Sequence, residues 1–157
     1  MPAKRNIKHY LSAIRRAEET IELDGGAEDY LESLARTPRE LGLLYAAYVC
    51  QDEVSGGGFE QYFFGGAGVS APEALEGFSA IGQASVASLL KGAMELFGGE
   101  YPRERLDRVE ILDGMDGGTA DTLMALEENF LDMALKEAGG FEAAAEQYAA
   151  AILGGKS

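Results

Sequence analysis

The stretch Ser55–Gly68 reads SGGGFEQYFFGGAG and places four aromatic residues within six positions, with glycines on both sides. On an α-helix Phe59, Tyr62 and Phe63 share one face, because residues three and four apart are neighbours. The glycines permit positive φ and close backbone contact, which lets a short helix turn away from the longer helix before it. The stretch therefore predicts a short aromatic helix that fills the core between two glycine hinges.

A ligand site beside this stretch is the alternative interpretation. The amides of Gly57 and Gly58 could hold an anion, or Gln61, Tyr62 and a nearby acid could be the polar groups of a pocket. Such a pocket would serve small-molecule binding or an enzyme that uses carboxylates. The pattern at 66–71, GAGVSA, lacks the final glycine of a dinucleotide-binding fingerprint, and no predicted strand precedes it. The sequence therefore predicts no cofactor.

Helix signals dominate the rest of the chain, and strand signals are almost absent. Thr37-Pro38-Arg39-Glu40 combines a capping hydroxyl, a proline suited to the first turn and a glutamate three residues after the cap, and Ser70-Ala71-Pro72-Glu73 repeats this signature. Besides the aromatic segment, the predicted helices cover 4–23, 27–36, 38–54, 71–82, 83–97, 102–112, 119–137 and 141–153. About nine helices with glycine-rich turns predict a single compact all-α domain over 1–157. It comprises a basic N-terminal helix in 1–23, a central part in 38–97 and C-terminal helices in 119–153.

The charge of the chain is large and uneven. Thirteen Lys and Arg residues against 27 Asp and Glu residues leave a net charge of −14. The first 16 residues hold five bases and no acid, whereas 17–35 hold seven acids and no base, and 40–90 hold six acids and no base. Such a surface repels phosphate backbones, so we expect a basic partner and no direct nucleic-acid binding. Acidity that only keeps the protein soluble is the competing interpretation.

Rows of acids on predicted helices indicate where a basic partner would bind. In the helix that starts at Thr119, Asp121, Glu128 and Asp132 fall opposite the apolar residues, and Lys136 is placed to pair with Asp132. Further acids stand four residues apart on other helices. The predicted partner-binding residues are Glu28, Glu32, Asp121, Glu128, Asp132, Glu142 and Glu146.

Glu127 is different, because it falls inside the apolar arc of the same helix. A carboxylate in that position must be paired if it is buried, and we expect an arginine or a tyrosine hydroxyl as its partner; a functional acid is the alternative.

The sequence predicts no catalytic residue and no metal ligand. His9 is the only histidine and Cys50 the only cysteine, which excludes zinc sites built on several His or Cys and also excludes an internal disulfide. The acids of the segment 113–118 are wrongly spaced for a calcium loop. With no apolar run long enough to cross a membrane and no disulfide, we expect a cytoplasmic protein.

GGFEQYFF at 57–64, together with EAL at 73–75, AIG at 80–82 and LLKGAMELF at 89–97, resembles the DNA-mimic-protein domain family, named after DNA mimic protein nineteen. The likeness covers 38–97 well and the C-terminal helices loosely. It implies an all-α fold and, from the named member, a dimer whose carboxylates imitate DNA phosphates to occupy a DNA-binding regulator. The motif itself is expected to be mainly structural. Its residues are Gly57, Gly58, Phe59, Gln61, Tyr62 and Phe63.

The function we expect is that of a non-enzymatic acidic protein that occupies a basic protein such as a DNA-binding regulator. One alternative is a small-molecule-binding protein or a carboxylate-using enzyme with a pocket beside Phe59–Phe64. The other is a generic interaction module that its partner recognises by shape. The basic N-terminal segment, whose bases include Lys4, Lys8, Arg15 and Arg16, favours a solvated helix face. Two alternatives stay open for it: contact with an acidic face of a second copy in a homodimer, and weak binding of nucleic acid.

Overall fold

The structure is a computed structural model that describes residues 8–154. Within this range the chain forms eight α-helices and no strand, which confirms the predicted all-α class. Short 3₁₀ turns at Gly66–Ser70 and Glu137–Gly139 join some of them. The helices are α1 Lys8–Glu18, α2 Ala27–Ala35, α3 Arg39–Phe64, α4 Ala71–Ala80, α5 Ala84–Glu95, α6 Arg105–Asp113, α7 Gly117–Lys136 and α8 Phe141–Gly154. The start of the predicted N-terminal helix, including Lys4, lies outside the described residues.

The predicted count of about nine helices differs from the observed eight because the aromatic segment continues α3. The predicted hinge is nevertheless present at Gly58, whose φ of 83° and ψ of 178° are non-helical inside α3. This backbone conformation is open to glycine and strongly unfavourable for other residues. The long helix is thus interrupted once, directly before Phe59.

The predicted hydroxyl caps at the starts of α3 and α4 were wrong. Thr37 Oγ1 donates to the carbonyl of Ser33 at 2.9 Å, and Ser70 Oγ donates to the carbonyl of Ala67 at 2.9 Å. Neither helix has a side-chain cap at its first turn. Both hydroxyls are buried, and each donates to a carbonyl of the preceding turn. This local hydrogen bond forms instead of one in which the hydroxyl oxygen would accept a backbone N–H at the start of the following helix.

Helix α7 begins two residues earlier than predicted. The carboxylate of Asp116 accepts the backbone N–H of Thr119 at 2.7 Å, so Asp116 caps the helix and Gly117 is its first residue. An aspartate in this position satisfies an amide that has no partner inside the helix.

Helix α3 lies at the centre and packs against α1, α4, α6, α7 and α8. Its contact with α4 is especially close, since a Cβ added at Gly77 would lie 2.2 Å from the carbonyl oxygen of Leu43. α1 also packs on α8, and α5 packs between α4 and α7. Among the helices of residues 8–154, none has the combined length and apolar character that crossing a membrane requires.

Candidate functional site

The aromatic end of α3 lies in the core. The three rings predicted to share a face, Phe59, Tyr62 and Phe63, are fully buried. Phe59 stacks on Phe63 with ring centroids 5.5 Å apart and meets Phe130 of α7 edge-on at 5.1 Å. These ring contacts fix the aromatic end of α3 against α7, because aromatic pairs add a directional preference to the burial of apolar area. Phe64 points the other way and is partly exposed.

A carboxylate from α7 caps the start of this aromatic segment. The backbone N–H of Phe59 donates to Glu127 Oε1 at 2.8 Å. The amide needs an outside partner because the break at Gly58 interrupts the helix just before it. The expected arginine or tyrosine partner of Glu127 was therefore wrong, since a backbone amide takes that place. A negative charge at the start of a helix is also favoured by the helix dipole.

A buried arginine closes the other end of the segment. Arg108 of α6 is fully buried, and its Nε and Nη2 donate to the carbonyls of Phe63 at 2.8 Å and Gly65 at 2.7 Å. Its Nη1 donates to the carbonyls of Pro102 and Arg103. Burial lowers the pKa of Arg108 from its ordinary value. The role of Arg108 was not predicted, because the residue stands in a helix segment, RLDRVEILD, whose charges are typical of a solvated helix.

Two grooves flank the exposed side of the aromatic segment. One has a volume of about 270 Å³ and is lined by Glu60, Met124 and Glu127 among others, and the second has a volume of about 490 Å³ and is lined by Gln61 among others. Tyr62 reaches neither groove, since the helical spacing that groups it with Phe59 and Phe63 directs it into the core. The alternative interpretation, in which Tyr62 is a polar group of a pocket, is therefore wrong, and its predicted place in the core is the observed one.

The acids predicted to bind a partner stand on three helices. Helix α2 packs against α3 and the first 3₁₀ turn, whereas α7 packs against α3, α5 and α8, so the α2 and α7 rows occupy different parts of the bundle. Asp132 pairs with Lys136 at 3.0 Å, which confirms that predicted contact. Six of the seven side chains are exposed, namely Glu28 and Glu32 in α2, Asp121, Glu128 and Asp132 in α7, and Glu142 in α8.

Glu146, the seventh, is turned inward and does not extend the row from Glu142. Its Oε1 accepts the backbone N–H of Tyr10 at 2.8 Å, and its Oε2 lies 2.8 Å from Nδ1 of His9. Burial by itself raises the pKa of Glu146, but these hydrogen bonds outweigh it and lower the pKa below its usual range. The carboxylate therefore caps the start of α1 and ties α1 to α8, so both of its oxygens are already engaged within the protein.

The arginines near the core do not pair with the exposed acids of α2 and α7. Arg103 forms two hydrogen bonds to the buried Glu73, at 2.9 and 3.0 Å, and the hydroxyl of Tyr30 donates to the same carboxylate at 2.9 Å. Arg108 is satisfied by carbonyls. These guanidinium groups therefore do not neutralise the acids displayed on α2 and α7.

A third groove, of about 410 Å³, lies between α1, the α1–α2 loop and α3. Its walls include four acids, Glu18, Asp24, Asp52 and Glu53, of which only Glu18 belongs to an acid pair four residues apart, with Glu22. The four acids lie up to 35 residues apart in the chain, so no local spacing could have indicated that they meet. No cluster of three or more His, Cys, Asp or Glu side chains within residues 8–154 is suited to hold a metal ion.

These features define a class: an all-helical acidic protein in which charged side chains bond to the backbone at helix ends inside the bundle. The family model described as DMP19-like protein matches residues 35–152, so the chain belongs to the DMP19-like protein family. No curated protein matches the chain, and no solved structure matches it.

Proposed function

We propose that the protein binds a basic protein, such as a DNA-binding regulator, and occupies it by presenting carboxylates where DNA would present phosphates. The exposed acid row of α7 carries this proposal. Asp121 and Glu128 are exposed and have no ion-pair partner within the described part of the chain, and Asp132 pairs with Lys136 alone. Membership in the DMP19-like family is consistent with a DNA mimic.

The row has the physical properties that such a role requires. Glu128 and Asp132 are four residues apart on one helix, which places their Cβ atoms roughly 5–6 Å apart. Helix α7 is held to the core by Phe130 and by the capping bond from Glu127, so the acids stand on a fixed support. Like charges this close cost a few tenths of a kcal/mol per pair. A basic partner would offset that cost and would be steered to the surface by the field.

A capture experiment from a lysate of the source cells tests the proposal. We expect the immobilised protein to retain DNA-binding proteins that a salt gradient releases below about 0.5 M, because contacts between exposed charges are screened. Duplex DNA should release the same proteins, because both ligands would occupy one surface. The variant D121N/E128Q/D132N should retain at least about tenfold less of them. Retention that ignores salt and DNA, or that survives the triple substitution, would contradict the proposal.

Small-molecule binding is a second candidate, favoured by the groove beside the aromatic segment. Its volume of about 270 Å³ lies near the lower limit of typical ligand pockets. It combines apolar residues such as Leu123 and Met124 with the carboxylates of Glu60 and Glu127. A fragment screen read by the methyl NMR signals of Met115 and Met124 tests this. Fragments that shift both signals in wild type and not in Glu60→Gln would support it, and a screen without such fragments would contradict it.

We further propose that a homodimer forms through the basic face of α1. Arg15 and Arg16 are exposed, whereas Ala13 and Ile14 of the same helix are buried, so the helix cannot be deleted without opening the core. The variant R15E/R16E keeps the helix and reverses the charge. Light scattering after size exclusion should show a dimer for wild type and a monomer for the variant. An unchanged mass would contradict this interface.

A further inference from the structure

We infer that the groove between α1, the α1–α2 loop and α3 binds an arginine side chain of the basic partner. This inference rests on the proposed function and adds a specific recognition site to it. Glu18 comes from the end of α1, Asp24 from the following loop, and Asp52 and Glu53 from α3. The lining contains no lysine or arginine, and none of the four carboxylates is in an ion pair within residues 8–154.

Tyr45 supplies an independent indication that the groove takes a ligand. This residue is only 8% exposed, yet it lines the groove. Its hydroxyl is not among the side-chain atoms sealed from solvent, so it opens on the groove. No hydrogen-bond partner for it exists within the described residues. The side chain is therefore held in the core by its ring while its hydroxyl stays available, as donor or acceptor, to a group that enters the groove.

The electrostatics of the groove select a cation. Burial raises the pKa of Tyr45 to about 12, and the negative charges of Glu18 and Asp24 contribute in the same direction. Burial, Asp52 and Glu18 likewise raise the pKa of Tyr48. Burial is the larger cause for both phenols, and the smaller part that comes from the carboxylates reflects a negative potential, which repels anions and attracts positive groups.

The arrangement favours a guanidinium over a metal ion or an ammonium. The four acids stand on three separate elements, α1, the α1–α2 loop and α3, so a cation whose donors point in several directions can reach more of them than a point charge can. A guanidinium carries five N–H donors in a planar fork, whereas an ammonium carries three. Tyr48 stacks on Tyr45 with ring centroids 6.2 Å apart, is partly exposed and lines the groove, so it offers aromatic surface on which a guanidinium is favoured.

An NMR titration with the peptide acetyl-Gly-Gly-Arg-Gly-Gly-amide tests this inference. We expect shifts of the backbone signals of Tyr45, Tyr48 and Asp52, and none with the citrulline analogue, which has nearly the same shape without the charge. The variant D52N/E53Q should bind the peptide at least about tenfold more weakly. The matched control E95Q/E100Q, which removes the same charge from two exposed positions outside both proposed binding surfaces, should bind it within about twofold of wild type. Tyr45→Phe should weaken binding severalfold through the loss of one acceptor.

Three outcomes would overturn the inference. These are equal binding of the citrulline peptide, equal binding by D52N/E53Q and wild type, and binding of spermidine more than tenfold tighter than the arginine peptide at the same signals. Circular dichroism and urea unfolding establish that each variant is folded. If lysate proteins are still captured while the peptide misses the groove, the arginine site is wrong and the proposed function stands. If the peptide binds the groove and no basic protein is captured, the proposed function is wrong and the site stands.

Discussion

Glu127 in α7 accepts the backbone N–H of Phe59 in α3 at 2.8 Å, although the two residues are 68 positions apart. The same carboxylate oxygen is the atom that a Cβ at Gly58 would approach to 2.5 Å. The glycine break, the freed amide and the carboxylate therefore form one unit. This unit and Arg108 at the other end hold the aromatic segment in place from both sides.

Removing the carboxylate of Glu127 should destabilise the fold. We expect Glu127→Ala to lower the free energy of unfolding by about 1–3 kcal/mol, because the Phe59 amide loses a charged acceptor. Glu127→Gln keeps a neutral acceptor and should lose less. Urea unfolding followed by circular dichroism measures both. The neighbouring exposed Glu128→Ala is the control and should leave stability nearly unchanged, whereas a fully stable Glu127→Ala protein would show that the bond is dispensable.

Gly58→Ala should destabilise the protein for two separable reasons. The positive φ is strained for alanine, at a cost of about 1–3 kcal/mol, and the new Cβ meets the carboxylate of Glu127. Only the second reason disappears in a Glu127→Ala background. A double-mutant cycle from urea unfolding should therefore show that G58A costs less in E127A than in wild type. Gly99→Ala is the control, because that position has open space and no positive φ. Strict additivity of G58A and E127A would argue against a contact between the new Cβ and Glu127.

Replacing Arg108 should be among the most damaging single changes in the chain. Arg108→Met leaves four carbonyls near the core without their donor, and we expect a loss of at least about 3 kcal/mol in the free energy of unfolding. Arg108→Lys should restore only part of it, since an ammonium cannot reproduce the fork geometry. Denaturant midpoints with Arg36→Met as the exposed control measure this effect. A lysine variant as stable as wild type would refute the role given to the guanidinium fork.

The pH dependence of stability should carry a contribution from Glu146. Its pKa in the folded protein lies below the usual value of 4.5, so its stabilising effect is present above that pH and is lost as the pH falls through the folded pKa. Glu146→Gln should therefore reduce the slope of unfolding free energy against pH below about 4.5. Urea unfolding at several pH values from about 3 to about 7, a range that includes the usual pKa of a glutamate, measures the slope. Identical slopes for wild type and variant would contradict the prediction, and the exposed Glu28→Gln serves as the control.

Features that depend on near neighbours in the chain were available from the sequence. Helical spacing alone placed Phe59, Tyr62 and Phe63 on one face, and their burial follows from the apolar area they share. The glycine run before Phe59 indicated a hinge, and the break is at Gly58. The pair of Asp132 and Lys136 also followed from spacing on one helix. The all-α class and most helix positions have the same local origin.

Tertiary structure decided where polar groups find their partners. Thr37 and Ser70 had capping positions in sequence, but packing offered their hydroxyls other carbonyls. Glu127 and Arg108 bond to backbone atoms of α3, and Glu146 bonds to α1 instead of facing solvent. The acids of the third groove meet only because α1, a loop and α3 converge. The helical period specifies which face of a helix a residue occupies. Which atoms that residue then contacts is set by how elements distant in the chain pack against that face.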